Sequence, residues 1–290
     1  MAKDSGLRSF ADRSTRRTVA HWIHMLLRKS LRMDVGWFHA LAALALLLAA
    51  AAPSDAQTLK LPPAESVLDR YVAVTGGQRA YDRVSNLTME SSWSLNGAAV
   101  ARNTMYVTRA GNYHNVITGS FSAEDGLRDG VAWMKAGGKN EIVESGPARA
   151  LIMRSSVLLS DGQWRRYYSS VKMIGVKTIA GKQCYEIAAE VATGGKLTLD
   201  YEVDSGLMLR HAEEGAEIIA GEYFTVEGVR VPRLFQFNIG GASFSVVVER
   251  MVFNQPIPDE KLALPPDIAR LAKKRWTPPA PAAPAVAARQ

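Results

Sequence analysis

Cysteine is almost absent from this chain. Cys184 is the only one in 290 residues, which excludes a disulfide within the chain and leaves the fold to its apolar core. Histidine is scarce too, and beyond residue 56 only His114 and His211 remain. A zinc or copper site of ordinary composition needs three or four His, Cys or carboxylate ligands, commonly at short spacing, and no segment supplies them. No G-x-S-x-G elbow occurs, and Cys184 has no flanking signature of a cysteine enzyme. No block of five or six basic residues follows residue 56, so nucleic acid is not an expected partner. No long internal repeat is evident, and no cofactor is expected.

The N-terminal 56 residues read as a targeting segment with an extension. Val35 to Ala52 is dominated by alanine and leucine, preceded by Arg28, Lys29 and Arg32 and followed by Ser54-Asp55-Ala56, whose small residues suit cleavage before Gln57. Export to the periplasm is the expectation, with no integral membrane span in the mature chain. The 24 residues before Met25 are long for such a leader, and initiation at Met25 would give a conventional one. The formal charge of the whole chain is +7; residues 1–56 carry eight Lys/Arg and four Asp/Glu, so without them it falls to +3. Residues 57–276 are expected to form one domain, and 277–290, rich in proline and alanine, a disordered tail.

Strand signals dominate that domain. From Cys184 to Val191, and again from Lys196 to Val203, apolar residues alternate with polar ones, the period of a strand with one wetted face. Thr193-Gly194-Gly195 and Asp204-Ser205-Gly206 supply the turns of an antiparallel meander. Asn96-Gly97 marks a hairpin between Asn86–Leu95 and Val100–Arg109, followed by Tyr113–Thr118, Val131–Lys135 and Glu141–Glu144. Strands resume over Trp164–Val176 and later run through Glu217–Thr225, Val229–Ile239 and Ser243–Phe253. Pro232, which cannot donate to a ladder, should mark an edge or a strand beginning.

Helix is expected over Ala64–Thr75, where Val67, Leu68, Tyr71 and Val72 form a stripe and Gly76-Gly77 a stop, with a turn or two more over Gln78–Val84. A second helix is expected over Pro147–Leu159. Its apolar stripe is too broad for an open back, so it should cover the sheet as a lid or plug. Ile257–Pro266 reads as a closing turn.

Several segments resemble the exported outer-membrane lipoprotein-sorting proteins of the LolA/LolB-like superfamily. They are Leu68-Asp69-Arg70-Tyr71 through Gly77, Asp129-Gly130-Val131-Ala132-Trp133, Gly181 to Ile187, Asp204-Ser205-Gly206-Leu207, Gly228 to Pro232 and Phe253 to Pro258. The resemblance spans residues 64–266. It implies a mainly β (α+β) fold: an incomplete, curved antiparallel barrel of about eleven strands with helices over its concave face. It also implies a carrier that performs no covalent chemistry and takes the acyl chain of a lipid or lipoprotein into an apolar hollow. The chain departs from the pattern in its proline-rich tail and extra length, and no residue is assigned to the polar position carriers use at the cavity mouth.

The candidate lining residues are Trp93, Met105, Trp133, Leu151, Ile152, Leu158, Tyr201 and Phe237. Trp164 is a further aromatic candidate, and core packing is the alternative role for all such aromatics. Arg165-Arg166 beside Tyr167-Tyr168 could meet an anionic headgroup at a rim or simply form a solvated strand face. His211 is expected to be a satisfied strand-end histidine, Cys184 a passive thiol, and Glu124-Asp125 and Glu213-Glu214 solvated loop charges. Two rivals stay open: an envelope scaffold or interaction protein whose half-barrel is filled by its own side chains, and a hydrolase with Cys184 or a serine against His114 or His211.

Overall fold

A computed structural model describes residues 61–213, 216–239 and 242–275. The expected leader, residues 57–60, Glu214, Gly215, Gly240, Gly241 and the proline-rich tail lie outside the described residues.

Thirteen antiparallel strands make one sheet. The first wing comprises β1 (Asn86–Leu95), β2 (Ala98–Thr108), β3 (Tyr113–Gly119), β4 (Ala123–Arg128), β5 (Val131–Ala136) and β6 (Lys139–Ile142). The second comprises β7 (Tyr168–Ile179), β8 (Lys182–Val191), β9 (Lys196–Glu202), β10 (Met208–Glu213), β11 (Ala216–Val226), β12 (Val229–Ile239) and β13 (Ala242–Phe253). Each wing is a run of hairpins, and the wings join where β1 pairs with β13. The outermost strands, β6 and β7, do not pair with each other, so the sheet is a curved half-barrel and not a closed barrel. The β1–β2 turn has Asn96 at φ 49° and Gly97 at φ 82°, both in the left-handed region that a tight two-residue hairpin demands.

Six helices accompany the sheet among the described residues: α1 (Ala64–Val74), α2 (Gln78–Arg83), α3 (Gly146–Ser155), α4 (Trp164–Tyr167), α5 (Asp259–Leu262) and α6 (Pro266–Arg275). α1 buries Val67, Leu68, Tyr71 and Val72, and Tyr71 meets Tyr201 of β9 edge-on at 5.3 Å. Arg70 fixes it further by donating to the carbonyls of Val203 and Asp204, each at 2.6 Å. Gly76, at φ 125°, turns the chain against Gly228; a Cβ there would stand 2.1 Å from the Gly228 carbonyl oxygen.

The chain between β6 and β7 crosses the mouth of the half-barrel. It comprises α3, a 3-10 turn over Ser160–Gln163, and α4. The single helix expected to Leu159 is interrupted: it ends at Ser155, and Leu159 takes a left-handed φ of 47° that redirects the backbone. The strand expected from Trp164 starts only at Tyr168, because Trp164 to Tyr167 form a last helical turn.

Three further expectations change. Glu124 and Asp125 belong to β4 and not to a loop. Ile257–Pro266 holds α5 and leads into α6, both set against the convex back of the first wing, where the Lys261 carbonyl meets His114 Nδ1 at 2.6 Å. Pro232 sits well inside β12. The ladder from β12 to β13 nevertheless covers only Leu234 to Ile239, so Pro232 lies where that flank is open and its missing N–H costs least.

Candidate functional site

Between the concave face and the crossover lies a cavity of about 450 Å³, within the 300–1,000 Å³ usual for small-molecule sites. Its floor comes from alternate residues of the central strands, since a period of two sends every second side chain inward. Trp93 of β1 stacks on Phe237 of β12, ring centres 6.2 Å apart and planes 16° from parallel. Met89, Met105, Met208 and Met251 contribute four thioether chains, which adapt to varied apolar shapes. Leu158, Leu159 and Asp161 of the crossover form the opposite wall, while Tyr71 and Tyr81 bound one side.

The sequence candidates divide. Trp93, Met105, Leu158 and Phe237 stand on the cavity wall. Leu151 is 51% exposed on the outer side of α3, whereas Ile152 points into the core. Tyr201 is buried beneath α1 against Tyr71. Trp133 faces the back of the sheet, 2% exposed, packed 5.3 Å from the His114 ring and lying across Gly126, where a Cβ would come within 2.8 Å of it. Trp164 is buried outside the cavity and donates from Nε1 to Asp69 at 3.1 Å. Arg165 is paired with the same carboxylate at 2.7 Å, so this pair ties the crossover to α1.

Polar groups on the wall were not foreseen. His211 lies within β10 and faces the cavity, with no hydrogen-bond partner for Nε2 inside the protein, so it is not a satisfied strand-end histidine. Burial pushes its pKa down to about 4, helped by the nearby Arg154. Asp161 is pushed up to about 6 by burial, against a 3.3 Å hydrogen bond donated by Tyr71. Arg154, the other charged side chain of the wall, is held by Glu213 at 3.0 Å. Ser91, Asn103 and Asn115 are also on the wall and nearly fully buried. Their signal was parity: Asn103 shares a face with Met105 and Val107, and Asn115 with Tyr113 and Ile117, so each is a polar residue in an apolar position.

The convex side carries different chemistry. Asp200, 0% exposed, accepts from Arg210 Nε at 2.7 Å and pairs with Lys177 at 3.1 Å. Arg210 continues to Glu217 at 3.0 Å, and Lys177 to Glu186. Cys184 is buried on this face, its thiol pKa pushed up by burial and by Asp200 and Glu202. Its Sγ contacts the Lys182 carbonyl at 3.6 Å. Neither a cysteine nor a serine hydrogen-bonds to His114 or His211 among the described residues. No group of three or more His, Cys, Asp or Glu among them is placed to hold a metal ion. No helix among them is long and apolar enough to cross a membrane.

No protein-family model and no curated protein matches the chain. Its fold, however, is found in solved structures. A LolA superfamily protein from Nitrosomonas europaea superposes with a TM-score of 0.50 at 9% identity, over 70% of this chain and 99% of that one. A DUF1329 family protein from Desulfovibrio piger gives 0.49 at 12% identity, over 70% and 98% respectively. The assignment of a LolA-like fold rests on the first of these.

Proposed function

We propose that this chain, with its LolA-like half-barrel, is an exported carrier that holds an acyl chain of a lipid or lipoprotein in the concave cavity as it crosses the periplasm, without covalent chemistry. The observation that carries this reading is the cavity itself: an apolar floor of stacked aromatics and methionines, roofed by the crossover from Arg154 to Asp161. A scaffold with a filled half-barrel would leave no such space. The driving force is burial, about 0.8 kcal/mol for each methylene taken from water. That corresponds to about fourfold in affinity per carbon until the cavity is full.

Displacement of a fluorescent fatty acid from the purified protein by C8 to C18 competitors tests it, alongside native mass spectrometry of the protein as isolated. Affinity should climb with chain length and then level. Met105→Trp, which fills part of the floor, should weaken binding at least tenfold while leaving thermal unfolding cooperative. Absence of binding at every chain length would refute the carrier reading.

A further inference from the structure

The concave face is not uniformly apolar: besides His211 and the Trp93 indole, Ser91, Asn103 and Asn115 run diagonally across β1, β2 and β3. Ser91 of β1 stands directly opposite Asn103 of β2. Asn115 of β3 stands opposite Met105, two residues along from Asn103, and pairs in turn with Asp125 of β4. Ser91, Asn103 and Asn115 are 3%, 7% and 8% exposed, and all three border the cavity. Ser91 Oγ, Asn103 Oδ1 and Asn115 Oδ1 have no hydrogen-bond partner within the protein. Leaving a buried polar atom unpaired costs about 1–3 kcal/mol, so three neighbouring ones on a cavity wall call for a partner, either water or the polar head of a guest.

The chemistry of what meets them can be read from Asn115. Its Nδ2 donates to Asp125 Oδ1 at 2.9 Å, which fixes the amide and presents Oδ1 as an acceptor. A group docking there must therefore bring a donor. Neighbouring strands are about 4.8 Å apart and Asn115 lies two residues, about 6.8 Å, further along, so Ser91 to Asn115 spans about 12 Å, more than one hydroxyl can cover. Charge narrows the class further. The wall's only charged side chains among the described residues are Asp161 and Arg154, and Arg154 is already engaged by Glu213. A carboxylate or phosphate would face an acidic residue and find no uncommitted cation.

We infer that the cavity is specific for a neutral amphiphile whose headgroup carries several hydroxyls, an acyl ester of a polyol such as a monoacylglycerol, with that headgroup on the Ser91–Asn103–Asn115 stripe and its chain against Trp93 and Phe237. This rests on the carrier reading and sharpens it.

The test compares three ligands of one chain length on the purified protein at pH 7.5, each below its micelle concentration: monododecanoylglycerol, methyl dodecanoate, which has no donor, and dodecanoate. Monododecanoylglycerol should bind at least tenfold more tightly than either. Asn103→Leu keeps the branched four-atom shape and removes an amide that no protein group holds. It should erase at least fivefold of that preference, read as the ratio of glyceride to methyl ester affinity in the same variant, and an unchanged ratio would overturn the inference. Dodecanoate or the methyl ester binding as tightly as the glyceride would overturn the inference and leave the carrier reading intact. Failure of all three to bind would overturn both.

Discussion

Asp161 and His211 face the same cavity with opposite dependences on pH, and separating them tests how the site is solvated. For Asp161 the carboxyl is pushed from 3.8 up to about 6 in the fold. Between those values the folded chain holds the proton more firmly than the unfolded chain. Stability from this residue is therefore present at pH 4 and lost as pH rises towards 6 and beyond. The full difference amounts to about 3 kcal/mol. Water reaching Asp161 through the cavity reduces this to about 1–2 kcal/mol. His211 runs the other way: its pKa falls from 6.5 to about 4, so stability is lost as pH falls through the same window. In the native chain the two slopes largely cancel. Asp161→Asn keeps an oxygen that can accept from Tyr71 Oη and removes one slope. Thermal unfolding followed by circular dichroism should show the variant unchanged at pH 4. At pH 7.5 its Tm should be higher by about 2–8 °C, using about 2–4 °C per kcal/mol for a domain of this size. The reasoning fails if the variant has the same offset at both values of pH, or is less stable than the native chain at pH 7.5.

Two further perturbations probe the cover and the back of the sheet. A Cβ on Gly162 would lie 2.1 Å from Cδ1 of the Tyr81 ring, so Gly162→Ala should cost about 3 kcal/mol and unseat the crossover, measurable as a lowered urea midpoint together with faster ligand release. Arg210→Met leaves Asp200 buried with only Lys177 as a close cation; urea unfolding should report a loss of about 2–3 kcal/mol, and an unchanged midpoint would show that this pair is not coupled to the fold.

Local chemistry made much of the sheet legible in the sequence. Asn96-Gly97 can hardly be read except as a hairpin, and the alternation from Cys184 to Val203 places Ile187, Leu197 and Tyr201 inward, where they are buried. The alternation disappears where both faces are covered. β4 reads AEDGLR because Asp125 faces the concave stripe while Glu124 pairs on the back with Lys135 at 3.6 Å, so no apolar alternation is left to detect. Apolar alternation makes Trp133 a candidate for the hollow or the core, but it cannot say which face of the sheet is concave. The helices α5 and α6 give the first wing a second buried face, and Trp133 belongs to that one. Of the cavity wall, Trp93, Met105, Leu158 and Phe237 are legible from apolar parity and pattern. Asn103, Asn115 and His211 were not, because polarity in a strand ordinarily signals solvent.

The seam between β1 and β13 sets the order of assembly. Leu87 lies opposite Phe253, so the first strand to leave the ribosome waits for the last. Until residue 253 emerges, β1 presents an unpaired backbone ladder beside an already formed hairpin stack, the situation that invites intermolecular pairing. Closing so distant a contact is slow. Folding only after both wings are available together would spare the chain that wait.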